Sequence, residues 1–320
     1  MRNHTFTVFE KAQLKGRCIM QAVFFDTNSL NELIYHSLEI TKFLERLSFK
    51  IVVPEFAYIE MACNADLEEA ADRLIKLGRI LAKGDRIYTH VARNWQSIIA
   101  RELIRGKKSK SLHVVSPKTY NVMVGNLLRA ELWLTGNSAG AGRVQVQQSK
   151  REMLQTDKSA RQYVVDKGIS ISDEYVDRMI CGYMGIDTTS ELCLGFPEFL
   201  YRSIVNDLGF PQVLFPSFKD LVLSAPDEYL VTKTWINLCT LHVFGTLYSE
   251  SKSSIFKPAK SDWMDTKIVS IAPSGDFFVT GDEKLAKRFS LMKDRSMHST
   301  VVINFDQFFE MLGGKQNIQG

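Results

Sequence analysis

Four acids stand where side chains far apart in the sequence could close on one another. Asp26 ends the apolar run Met20-Gln-Ala-Val-Phe-Phe25, and Asp282 follows Phe277-Phe-Val-Thr280 by two residues. Glu60 comes about two turns into a helix expected after Lys50-Ile-Val-Val-Pro54. Asp265 opens another helix, just before the Phe277 run. Carboxylates crowded together repel and raise one another's pKa, a conflict that a bound cation removes. All-oxygen ligation suits Mg2+ or Mn2+, whereas zinc usually takes His or Cys. Ions held this way activate water and neutralise charge on a scissile phosphate and its leaving oxygen. The chemistry open to such a set is phosphodiester hydrolysis, with no Ser or Cys nucleophile required. Two further acids lie close in sequence. Asp262 reads as a helix N-cap and auxiliary metal candidate, and Glu55 as a solvated first-turn charge.

The elements that must position these acids alternate in type. The run before Asp26 has the length and the aromatic and β-branched content of a buried strand. Thr27-Asn28-Ser29 supplies capping residues for a helix carrying Leu30, Leu33, Ile34 and Leu38 at helical spacing. Lys50 to Pro54 is a second strand, whose proline suits the first turn of the next helix. A helix over Leu67 to Leu81 leads to a strand at Arg86-Ile-Tyr-Thr-His90. Towards the C-terminus come a helix from Trp263 to Ala272, a strand at Phe277 to Thr280, a helix from Glu283 to Met292, and a strand from Thr300 to Phe305. Strands alternating with helices imply a mostly parallel sheet covered on both faces. In such sheets ligands bind outside the carboxyl ends of the strands, where Asp26 and Asp282 fall.

Between these ends the pattern changes. Helical stretches are expected at Tyr120 to Leu134, Gln145 to Asp166, Ser172 to Met184, Glu198 to Leu208 and Lys233 to Tyr248. They are interrupted by the glycine-rich 136–142 segment and by Pro197, Pro211 and Pro216. The expected organisation is thus an α/β core over 1–105 and 262–320, with a mainly helical insertion at 106–261. The glycine-rich segment continues Arg143-Val144, not Lys-Ser/Thr, and so reads as a linker, not a phosphate loop.

Composition bounds the classes of function. The chain has 320 residues, 45% hydrophobic and 24% charged, enough apolar content for a folded core. Its net charge of +4 only weakly favours a polyanionic partner. The five cysteines are scattered and form no CxxC pair, which argues against a disulfide framework or a zinc site and fits a reducing cytoplasm. The N-terminal residues hold no signal-peptide core. Thr234 to Tyr248, the longest charge-free apolar stretch, falls short of the ~20 residues a membrane span needs. The expectation is a soluble cytoplasmic protein with no membrane partner.

Taken in order, Phe25-Asp26-Thr27-Asn28, Val53-Pro54-Glu-Phe-Ala-Tyr-Ile-Glu60, Asp265-Thr-Lys-Ile-Val-Ser-Ile-Ala272 and Val279-Thr-Gly-Asp282 resemble the successive motifs of PIN-domain nucleases. The resemblance covers roughly the first 105 and the last 60 residues. It implies a PIN-like fold, a five-stranded parallel sheet between helices. It also implies Mg2+- or Mn2+-dependent cleavage of RNA, with Asp26, Glu60, Asp265 and Asp282 as the metal site. Asn28 and Thr280 match positions that orient water or carboxylates by hydrogen bonding. The chain departs from compact members in the roughly 155 residues inserted before Asp265, and in Pro273, which cuts the Asp265 helix short.

Arg101 to Lys110 is a basic run, and residues 106–168 hold eleven Lys and Arg against four Asp and Glu. Arg101, Arg105, Lys107, Lys108 and Lys110 are therefore candidates for nucleic-acid contact, the alternative being a solvated helix end. An inactive PIN-like fold that binds RNA or scaffolds a partner stands as the alternative to an endoribonuclease, and a DNA-directed nuclease stands beside both. A haloacid-dehalogenase-type phosphatase is set aside because it wants an acid two residues after the strand-ending one, where this chain has Asn28. Whether an inhibitory protein partner exists, as for toxin members of the family, the sequence leaves open.

Overall fold

Five short strands with almost continuous apolar sequences form one parallel sheet, as expected where both faces are covered. The computed structural model describes residues 20–44, 49–64, 66–105, 113–135, 191–209, 214–225, 228–247, 262–293 and 298–312, with scattered positions between 144 and 166. The strands are β1 (Gln21–Phe25), β2 (Phe49–Pro54), β3 (Thr89–Ala92), β4 (Phe277–Val279) and β5 (Val301–Ile303). Their order across the sheet is β3-β2-β1-β4-β5, and every pairing is parallel. Val23 pairs with Ile51 on one side and with Phe277 on the other, so β1 is the central strand. The chain builds outward from β1 through β2 to β3, then returns to the opposite side of β1 for β4 and β5. That reversal lies between β1 and β4.

Successive residues of a strand face opposite ways, and this divides the core in two. Val23, Phe25, Ile51, Val53, Val91 and Val279 face one layer. It is made by α1 (Thr27–Tyr35), α2 (Ser37–Phe43), α3 (Glu55–Asn64) and α4 (Leu67–Gly84). Ala22, Phe24, Val52 and Phe278 face the other layer, whose first helix is α5 (Trp95–Arg105).

Helices from 117–135 and 191–247 join these two cores. The α6 (Pro117–Leu127) and α7 (Ala130–Thr135) helices pack on α4, burying Tyr120, Leu127 and Leu134 in the first layer. The α8 (Glu191–Asp207), α9 (Phe218–Leu223) and α10 (Leu230–Leu247) helices supply Leu200, Tyr201, Leu221, Trp235 and Cys239 to the second. Glu102 of α5 ties that layer across the chain. It is buried, and its carboxylate accepts the backbone N–H groups of Val231 (3.0 Å) and Thr232 (2.8 Å) and the Thr232 hydroxyl (2.7 Å). These are donors that the first turn of α10 cannot satisfy within its own helix. Burial pushes the Glu102 carboxyl above the usual carboxylate range, against the lowering effect of those hydrogen bonds.

The chain closes with α11 (Asp262–Val269), a 3-10 turn at Ala272–Ser274, α12 (Glu283–Lys293) and α13 (Phe305–Met311). The Asp265 helix stops at Val269, before Pro273, which lies in the 3-10 turn. Among the described residues no helix is long and apolar enough to cross a membrane.

Three sequence expectations shift. The third strand begins at Thr89 and not at Arg86, because Asp85 (φ 41°) and Arg86 (φ 60°) are left-handed and the chain is still turning there. Gly84 allows that turn, since a Cβ at this position would strike the Thr89 side chain. The helix expected over Tyr120 to Leu134 is two helices, separated at Leu128 and Arg129. The helix expected from Glu198 begins at Glu191 and carries Pro197 inside it. The 136–142 segment and the helix expected at Ser172 to Met184 lie outside the described residues.

Candidate active site at the carboxyl edge of the sheet

Asp26 and Asp282 meet at the strand ends on either side of the reversal in strand order, where open α/β sheets leave a crevice for ligands. The Asp26 N–H extends the β1–β4 ladder one residue past the strand, donating to Val279 O at 3.1 Å. Its carboxylate is buried at the head of α1. One oxygen, Oδ1, accepts the Ser29 N–H at 2.6 Å. The other, Oδ2, accepts the Thr280 hydroxyl at 2.5 Å. That hydroxyl in turn accepts the Asp282 N–H at 3.1 Å. Thr280 thereby fixes both acids in one directional chain, from Asp282 N–H through Thr280 O–H to Asp26.

Asp282 Oδ1 caps α12, accepting the Lys284 and Leu285 N–H groups at 2.8 and 3.0 Å. Its Oδ2 has no hydrogen-bond partner among the described residues. Neither Asp26 nor Asp282 forms an ion pair among those residues. Burial raises the Asp26 carboxyl above its ordinary value, with the Asp282 charge adding to the rise. Hydrogen bonds from Thr280 and Ser29 oppose it.

This shift makes a stability prediction. A carboxyl raised in the fold holds its proton more tightly when native, so its contribution falls as pH rises from 3.8, the ordinary value, through the raised native one. Asp26→Asn lacks that loss. Urea denaturation in EDTA is expected to show the variant gaining on wild type as pH rises through this window, with a level difference above it. Parallel profiles would contradict the shift.

Glu60 is buried on α3, where its Oε2 accepts the Thr27 hydroxyl at 2.6 Å, one residue from Asp26. Asp265 is half-buried on α11, which packs against the α3 helix that carries Glu60. These hydrogen bonds tie Asp26 to Asp282, and Glu60 to the residue after Asp26. Asp265 is not a member of either link. Asp262 begins α11, and its side chain lies outside the described residues.

Among the described residues no three His, Cys, Asp or Glu side chains form a group that could hold a metal ion. The donors suit Mg2+ or Mn2+ in kind, being carboxylate oxygens, and Asp26 sits where added positive charge would offset its burial. Among the described residues they do not close into one cage.

Other polar groups at this edge depart from the sequence reading. The N-cap of α1 is Asp26 itself, not a member of Thr27-Asn28-Ser29. Asn28 is exposed and its side chain makes no hydrogen bond among the described residues, whereas Thr27 and Ser29 hold Glu60 and Asp26. Their hydroxyl-bearing types beside a strand-ending acid are the signal that could have singled them out. Glu55 is half-buried and not freely solvated: burial raises its carboxyl above the usual range, and it accepts a hydrogen bond from the Asn94 backbone.

A basic group stands where β3 ends. The Arg93 Nε donates to Val114 O at 2.8 Å, and segment 113–115 runs alongside β3 through Arg93 N to His113 O and Val115 N to Val91 O. Burial lowers the Arg93 guanidinium, and the charges of Arg101 and Arg105 lower it further. His113 is pushed down to about 4 by burial, then by Arg101 and Arg93. Arg101 is half-buried and Arg105 exposed on α5. None of the three arginines is ion-paired among the described residues. Lys107, Lys108 and Lys110 lie outside those residues.

No family model, curated protein or solved structure matches this chain. The functional reading therefore rests on the chemistry of this edge.

Proposed function

We propose that this chain is a PIN-like, divalent-metal-dependent nuclease that hydrolyses phosphodiester bonds in RNA. The observation that carries the reading is the pair Asp26 and Asp282, linked by Thr280 at the reversal of strand order and not neutralised by an ion pair among the described residues. Asp26 and Asp282, with Glu60 and Asp265, would hold Mg2+ or Mn2+, which when bound would supply activated water and offset the charge on the phosphate. Thr280 would keep the two aspartates in register, and Thr27 would orient Glu60. Residues 106–261 would serve as an inserted helical region between the two parts of the core, 1–105 and 262–320.

Arg93, Arg101 and Arg105 support a polyanionic substrate, because mutual repulsion among guanidiniums is relieved by phosphates. Replacing Arg101 and Arg105 by Ala is expected to weaken binding to single-stranded RNA evenly across sequences. The slope of log affinity against log salt should flatten by about 0.7 for each phosphate that the variant no longer neutralises. Fluorescence anisotropy at several salt concentrations reads this directly, and an unchanged slope would remove the patch from the interface.

The test of the activity is an assay on matched single-stranded RNA and DNA with Mg2+, Mn2+ or EDTA. RNA is expected to be cut with either ion and not with EDTA. Cutting in EDTA, or none with either ion, overturns the reading, and cutting of DNA alone makes the chain a DNA-directed nuclease. A specific observation favours a second reading, an inactive PIN-like fold that binds RNA or scaffolds a partner: no three-donor group is formed among the described residues. Under it, RNA binds without being cut at any divalent-ion concentration.

A further inference from the structure

We propose that a cleft between α5, α8, α10 and α11, closed on a further side by Gln148, Gln155 and Ser159, is a pocket for a single nucleobase. It encloses about 410 Å3, within the roughly 300–1,000 Å3 of small-ligand sites. Trp95, Trp235 and Lys267, all buried, make its floor. The two indoles stack with ring centroids 5.3 Å apart and planes 10° apart. The Lys267 ammonium lies 5.4 Å from the Trp95 ring centroid and 5.5 Å from that of Phe56. The rim is exposed and polar, with Gln96, Ser203 and Asp207.

These groups suit a flat heterocycle better than any other small group. The aromatic floor offers contact to a base of any sequence. The ammonium and the Gln96 amide can donate to ring carbonyl or nitrogen acceptors, while Asp207 and the Gln96 oxygen can accept from ring N–H or amino groups.

Position connects the cleft with the proposed substrate. Phe56 lies in the first turn of α3, two residues past the end of β2, and Trp95 opens α5, three residues past the end of β3. Both aromatic contacts of Lys267 therefore come from the carboxyl edge of the sheet. Lys267 is two residues from Asp265, and Arg93 leaves the end of β3 just before Trp95. A strand held by the arginines can present one unstacked base here. The identity of the ligand as part of an RNA strand rests on the nuclease reading; the capacity to hold a base does not.

The experiment is a titration of intrinsic tryptophan fluorescence in EDTA with AMP, GMP, CMP and UMP separately, and with ribose 5-phosphate. At least one nucleotide is expected to quench saturably, and ribose 5-phosphate to have no effect. Ser203→Phe, at an exposed rim position, is expected to melt like wild type and to weaken nucleotide binding by about tenfold or more. The proposal is overturned if no nucleotide binds, if ribose 5-phosphate binds as well as the nucleotides, or if Ser203→Phe binds like wild type. With no divalent ion present, the result is independent of cleavage. Nucleotide binding by a protein that cuts no RNA would keep the pocket and discard the nuclease, and the converse would do the reverse.

Discussion

Asp282→Asn is expected to cut RNA at least about a hundredfold more slowly than wild type, the scale of losing one group that stabilises transition-state charge, while remaining folded. The fold is spared because the cap depends on an oxygen and not on a charge. Asp282 Oδ1 accepts the Lys284 and Leu285 N–H groups, and an asparagine carbonyl caps a helix about as well. The Thr280 link uses the residue 282 backbone N–H, which the substitution leaves in place. What disappears is the negative charge opposite Asp26. Single-turnover cleavage with saturating Mn2+, beside a urea denaturation curve, separates the two effects. A variant that folds and retains full activity would remove Asp282 from the site, and a variant that unfolds would show that the fold needs the charge at 282 and not only its capping oxygen.

Glu102→Ala is expected to lose about 3 kcal/mol or more of stability, because it strands buried N–H groups that cost roughly 1–3 kcal/mol each when unsatisfied. The groups concerned are the Val231 and Thr232 amides at the head of α10, with the Thr232 hydroxyl beside them. Glu102→Gln keeps one carbonyl acceptor and sheds a charge that burial disfavours, so its loss should be smaller, about 1 kcal/mol. Urea unfolding of the two variants gives the ranking. Equal losses would mean that the charge, not the accepting oxygens, holds α5 to α10. No loss in either would mean that the interaction contributes nothing.

The sheet was legible where strands are both short and apolar throughout. Residues 20–26, 50–54 and 277–280 could be read because a strand buried on both faces carries almost no polar residue. The third strand starts three residues later than expected because its start depends on the left-handed turn at Asp85 and Arg86, which apolar content does not reveal. The α5 helix carries Trp95, Ile98, Ile99 and Leu103 at helical spacing, yet the basic run that follows draws attention to charge instead.

The candidate site was legible as a list of acids and less so as a network. Asp26, Thr280 and Asp282 lie on adjoining strand ends, so strand-end position was enough to pair them. The partners of Glu60 and Glu55 could not be read locally, since Thr27 and the Asn94 backbone come from other elements. The resemblance points to Asn28, and the local geometry gives its expected work to Thr27 and Ser29. Glu102 stands in a basic run, and nothing near it in sequence marks its role, since its three donors lie about 130 residues on. Contacts of that span are set by how helices pack, which no local pattern encodes.

Calorimetric titration with Mn2+ in the absence of nucleic acid tests the account at its centre. Saturable binding by the wild-type chain, lost in both Asp26→Asn and Asp282→Asn, is the predicted result. No binding by wild type, or equal binding by the three proteins, would contradict a cation site at the meeting of β1 and β4.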